Sequence, residues 1–73
     1  MITLYDIQNK ISEAIKLSGL KQTEIAKIIG VSQQTISHYI KGDKMPALDT
    51  FANLCLSLDL DPVEILCLNK KQS

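Results

Sequence analysis

Three residues, Gly30, Val31 and Ser32, separate two short segments of helical periodicity. Before them, from about Gln22 to Ile29, the residues Ile25, Ala26 and Ile29 form one apolar stripe. After them, from Gln33 to about Ile40, the residues Ile36, Tyr39 and Ile40 do the same. Apolar residues three and four apart share one face of a helix. Gly30 is a stop signal, because glycine accepts the left-handed backbone that ends a helix. Ser32 is a start signal, because its hydroxyl can take a free N–H of the next first turn. Neither helix can run through such a link, so the chain must bend sharply there.

The remaining punctuation extends this helix-turn-helix at both ends. Thr3 can cap a first helix, with Asp6 as its reciprocal partner. Leu4, Ile7, Ile11, Ala14 and Ile15 recur at helical spacing, Gln8, Asn9, Glu13 and Lys16 face away, and Gly19 ends the segment. Gly42 closes the third helix. After Pro46 a fourth helix carries Leu48, Phe51, Ala52, Leu54, Cys55 and Leu58. Asp61 then caps a fifth, with Pro62 at its first position and Glu64 completing an Asp-x-x-Glu box; Val63, Ile65, Leu66 and Leu68 fill it. The expectation is an all-α, five-helix domain spanning residues 1–73, with its core at about 3–68 and a polar, frayed tail at 69–73. A chain this short buries only about 60% of its unfolded surface, so every apolar face has to be used.

Composition supports helices and excludes several functions. Apolar residues make up 45% of the chain, too many for a disordered one, and aromatics only 4%, few for a strand-rich one. All eight basic residues are Lys, and eight acids balance them. Zero net charge rules out a simple argument from basicity to nucleic acid. The distribution is uneven. Residues 1–44 carry six Lys against Asp6, Glu13, Glu24 and Asp43, a balance of +2; residues 45–73 carry Lys70 and Lys71 against Asp49, Asp59, Asp61 and Glu64, a balance of −2. Cys55 and Cys67 lie in apolar runs and read as reduced core thiols. Nothing accompanies them at metal spacing, so neither a metal nor another cofactor is expected. There is no span for a membrane and no leader pattern, which suggests a cytoplasmic protein without a small-molecule ligand domain. No acid pair, Cys–His pair or Gly-rich phosphate loop points to an enzyme.

The stretch "LKQTEIAKIIGVSQQTISHYIKGDKMP", followed by "LDTFANLCLSLDLDPVEIL", resembles the lambda-repressor-like helix-turn-helix domains of the XRE and Cro type. The resemblance covers residues 20–66, about two-thirds of the chain. Ile25, Ala26, Ile29, Gly30, Val31, Ile36 and Tyr39 fall where that motif takes apolar or small residues. Ala26 has a physical reason to be small, since the two helices cross closely there. The resemblance implies a regulator of transcription, of repressor type, whose third helix enters the major groove of double-stranded DNA. Gln33, Gln34, Thr35, Ser37 and His38 become the base readers. Lys21, Gln22, Ser32, Lys41 and Lys44 become backbone contacts. The chemistry of the glutamines agrees, because a Gln amide matches the N6 and N7 edge of adenine.

Blander readings exist for the same residues. Gln33 and Gln34 also suit the solvated face of a short helix, His38 also suits open solvent, and Asp43 is first a turn former. Two departures from the family stand out. Many members pair an Arg of the first helix with a Glu near the end of the third, and Ile15 and Ile40 occupy the matching positions here. An apolar pair can replace a buried ion pair at little loss, so these two side chains are expected to touch. With no Arg in the chain, the usual bidentate contact to guanine is missing, which biases the expected site toward A·T pairs. Few basic side chains also mean weak binding per domain, so a homodimer on an inverted repeat is expected. Its interface is placed on the apolar last segment, at Leu60, Val63, Ile65, Leu66 and Leu68. The alternative is a protein-interaction module, antitoxin-like or anti-repressor-like, on the same fold.

Overall fold

A computed structural model describes residues 1–69. Five helices follow one another without a strand among the described residues: α1 Leu4–Leu17, α2 Gln22–Ile29, α3 Gln33–Lys41, α4 Leu48–Leu58 and α5 Pro62–Ile65. The expected tail reaches beyond Asn69 and so lies largely outside the described residues.

The helix starts follow local chemistry. Thr3 Oγ1 accepts from the Asp6 N–H at 3.2 Å, and Asp6 Oδ2 accepts from the Thr3 N–H at 3.0 Å, so the expected reciprocal cap forms. Ser32 Oγ accepts from the Thr35 N–H at 3.1 Å at the start of α3. In α2 the Glu24 carboxylate reaches back to the Lys21 N–H at 3.0 Å. Asp61 accepts from the Val63 N–H at 3.0 Å and starts α5 on its own, without the return arm expected from Glu64.

Four helices stop in the same way. Each is followed by a residue in the left-handed region, and the N–H after it bonds back to the carbonyl five residues earlier. The pairs are Val31 to Ala26 at 3.0 Å, Asp43 to His38 at 3.2 Å, Leu60 to Cys55 at 2.9 Å and Leu68 to Val63 at 2.8 Å. The left-handed residue is Gly30 after α2 and Gly42 after α3, as expected, but Asp59 (φ 54°) after α4 and Cys67 (φ 62°) after α5.

One core joins all five helices: Ile11 and Ile15 from α1, Ile25 and Ala26 from α2, Ile36 and Tyr39 from α3, Leu54 from α4 and Ile65 from α5. Ile25 and Ile36 are wholly buried. Each such side chain contributes about 1.5–3 kcal/mol relative to an exposed one. Ile15 sits inside this cluster and Ile40 packs against it, so both lie in one apolar zone.

Several expectations are corrected. The last helix is a single turn, Pro62–Ile65, because Cys67 turns the backbone left-handed and ends it. Ile65 is 6% exposed and belongs to the core, so it is not available to a partner. Leu4 and Leu48 share the helical spacing of the core residues, yet both are solvent-exposed, each lying at the first position of its helix and outside the packed layer. Cys55 and Cys67 are buried free thiols, as read. No helix among the described residues is long and apolar enough to cross a membrane.

Candidate nucleic-acid interface

Helix α3 divides cleanly by face. Ile36 and Tyr39 are buried and Ile40 packs against the same core. Gln33, Gln34 and Lys41 are exposed, while Ser37 and His38 are half-buried on the same outward side. Gln34 and His38 are four residues apart, as are Ser37 and Lys41, so they stack along one helical face. The core grips one side of α3 and leaves the other as a polar ridge.

Thr35 is placed differently from its neighbours. It is half-buried, and its hydroxyl lies 2.8 Å from Ser32 Oγ. Ser32 and Thr35 therefore close the first turn of α3 together, and both hydroxyls have a partner before any ligand arrives. Gln33 and Gln34 stay uncommitted beyond this cap, next to the free N–H groups of the helix start, where anions are favoured.

The backbone candidates flank this ridge in sequence. Lys21 is exposed just before α2, and Gln22 is half-buried as its first residue. Lys41 and Lys44 are exposed on either side of the turn that closes α3.

That turn holds a feature missed from the sequence. His38 Nδ1 lies 2.8 Å from Asp43 Oδ1. By itself Asp43 reads as a turn former; the five-residue spacing across a left-handed glycine is the signal for its partner. Behind the ridge, burial raises the pKa of the Tyr39 phenol above its ordinary value, and the Asp49 carboxylate pushes it in the same direction. The phenol is thus held neutral as a core group. Among the described residues no group of three or more His, Cys, Asp or Glu could hold a metal ion.

Two crossed helices on a three-residue link, with a polar ridge outward and an isoleucine core inward, define a helix-turn-helix protein. The helix-turn-helix family model matches residues 11–65, most of the chain. The chain belongs to this family, the XRE or lambda-repressor-like group of DNA-binding regulators. No curated protein and no solved structure matches the chain significantly.

Proposed function

We propose that the protein is a sequence-specific transcription regulator of repressor type, which places α3 in the major groove and acts as a homodimer on an inverted repeat. The observation that carries this reading is the outward ridge of Gln33, Gln34, Ser37, His38 and Lys41 on a helix whose other face is locked in the core. Gln33 and Gln34 read adenine through paired donor and acceptor contacts, each worth about 1–3 kcal/mol of discrimination. Lys21, Lys41 and Lys44, with the helix-start residues Gln22 and Ser32, hold the phosphates. Three lysine contacts give a salt slope of only about −3, since each neutralised phosphate adds about −0.9.

Weak single-copy binding of this kind calls for two copies with half-sites about one turn apart, roughly 34 Å. The surface for pairing is the end of the chain without Ile65: Leu60, Val63, Leu66 and Leu68. Val63 and Leu68 are exposed, and beside Leu60 an apolar groove runs between α4 and α5, lined by Phe51, Cys55, Leu56 and Pro62. The same groove and the zero net charge favour the second reading, a module that binds another protein.

Selection of bound sequences from a random DNA duplex pool at low salt separates the two. Enrichment of an A·T-leaning inverted repeat supports the regulator. A folded protein that enriches nothing overturns it and favours the protein-binding module. Sedimentation showing only monomer at high micromolar concentration, with and without the enriched duplex, removes the dimer.

A further inference from the structure

Asp43 is a charged residue beside the ridge that DNA reading does not use. It is tied to His38 twice: its N–H donates to the His38 carbonyl at 3.2 Å, and its Oδ1 lies 2.8 Å from His38 Nδ1. The two side chains are 40% and 55% exposed, so the pair is a surface device and not a core clasp. An ionised carboxylate has no proton to give, so Nδ1 must be the donor in this bond. In a neutral imidazole the other nitrogen, Nε2, is then a lone pair without a proton. The ring also loses its freedom to turn, because rotation would break the bond to Asp43. His38 stands four residues beyond Gln34, about 6 Å further along the helix axis, and so close to two base-pair steps away.

We propose that Asp43 is a positioning residue that fixes His38 as a hydrogen-bond acceptor, so that Nε2 reads an exocyclic amine, the N6 of adenine or the N4 of cytosine, in the major groove. The inference rests on the DNA reading given above and adds a specificity element to it. Guanine offers only acceptors on its major-groove edge, and thymine an acceptor and a methyl group. A fixed lone pair meets those acceptors unfavourably, so His38 favours A or C over G or T on the strand it faces. Without Asp43 the ring is free to flip and to carry its proton on Nε2, and the preference disappears.

Two measurements on the full chain test this, both at pH 8.5, about two units above the ordinary imidazole pKa. The first is the nitrogen-15 spectrum of the His38 ring in the free protein. The expected signature is a protonated Nδ1 and an unprotonated Nε2, shifting toward the other tautomer in Asp43→Ala. A wild-type ring protonated on Nε2 overturns the proposal. The second is selection from a random duplex pool with wild type, Asp43→Ala, Asp43→Asn and His38→Ala. Wild type should prefer A or C by about fivefold at one position of each half-site, the worth of a single hydrogen bond. Asp43→Ala and His38→Ala should both lose that preference while the glutamine positions keep theirs. Asp43→Asn, whose amide can accept from Nδ1 or donate to it, should keep only part of the preference. An unchanged preference in Asp43→Ala overturns the proposal even though DNA reading stands. If wild type enriches no sequence at all, the regulator reading fails, and the base-reading role of His38 fails with it.

Discussion

The Ser12 hydroxyl donates to the Ile40 carbonyl at 2.7 Å, joining α1 to α3 across 28 residues of sequence. Ile40 lies in the last turn of α3, where carbonyls have no partner within the helix. The carbonyls of His38 and Tyr39 are taken by the turn that follows, through the Gly42 N–H at 3.0 and 3.2 Å. The Ile40 carbonyl points toward α1 instead, and Ser12, itself 8% exposed, supplies the missing donor. Ser12→Ala should therefore destabilise the fold by about 1–2 kcal/mol, because a partly buried acceptor is left without a donor. At this size that is a fall of about 4–8 °C in Tm per kcal/mol, measurable by thermal unfolding. A Tm unchanged in Ser12→Ala would mean that water serves that carbonyl equally well.

The four similar helix endings make opposite predictions for opposite residues. At Gly30 an added Cβ would meet nothing within 4 Å, so the cost of Gly30→Ala is purely the left-handed backbone, φ +76°. We expect a loss of about 1 kcal/mol. Asp59 already bears that strain, and its negative charge sits at the negative end of α4. Asp59→Gly should relieve both and gain about 0.5–1 kcal/mol. Urea unfolding of the two variants beside wild type gives both signs at once.

Ala26 is 5% exposed, in the core that α2 shares with α3. A leucine there has no room, so Ala26→Leu should cost about 1–3 kcal/mol by overpacking. Ile28 is two residues on and 54% exposed, and Ile28→Ala should stay within about 0.5 kcal/mol of wild type. Equal effects at the two positions, again by urea unfolding, would show that the helices are not tightly crossed.

Stability should fall at alkaline pH. Burial, reinforced by Asp49, raises the Tyr39 phenol above its ordinary value of 10.0; burial, reinforced by Asp61, raises the Cys55 thiol above 9.0. In both cases the unfolded chain ionises first, so the folded state binds more protons in the window just above these values. The stability from each neutral group is fully present below its unfolded value and is lost as pH rises through the folded one. Denaturation midpoints should be level from pH 7 to 8.5 and then decline, first through Cys55 and then through Tyr39. Cys55→Ala and Tyr39→Phe should each remove their own part of the slope.

Base readers and phosphate contacts should fail in different ways. Gln34→Ala should relax selectivity at one position of each half-site by about 1–3 kcal/mol. Lys41→Ala should weaken all sequences alike and lower the salt slope by about 1. Titrations on the selected duplex and on a scrambled one, at several salt concentrations, separate the two patterns.

What could be read in advance from the residues was whatever is local. Thr3 with Asp6, Ser32, Gly30 and Gly42 act within five residues of themselves, and each behaves as its side chain dictates. The endings at Asp59 and Cys67 are not legible in the sequence, because Asp only tolerates a left-handed backbone and Cys does not favour one. For that reason the last helix was drawn too long, and Ile65 was placed on an outer face when it completes the core. Leu48 mimics a core residue by spacing alone, since periodicity cannot tell where a packed layer stops. The inward residues of α3 follow from their spacing and the candidate readers from the family resemblance, whereas the bonds of Ser12 to Ile40 and of His38 to Asp43 needed coordinates.

The length of α3 limits how much sequence one copy can recognise. Nine residues make a rod of about 13.5 Å, and at 3.4 Å per base pair such a rod faces roughly four pairs. A word of four letters recurs by chance about once in 256 positions, while a genome offers a million or more competing sites. Two such helices in register read a word of eight, which recurs about once in 65,000 positions. On its own, a reading helix of this length would carry too little information to name a single address; it would supply half of one.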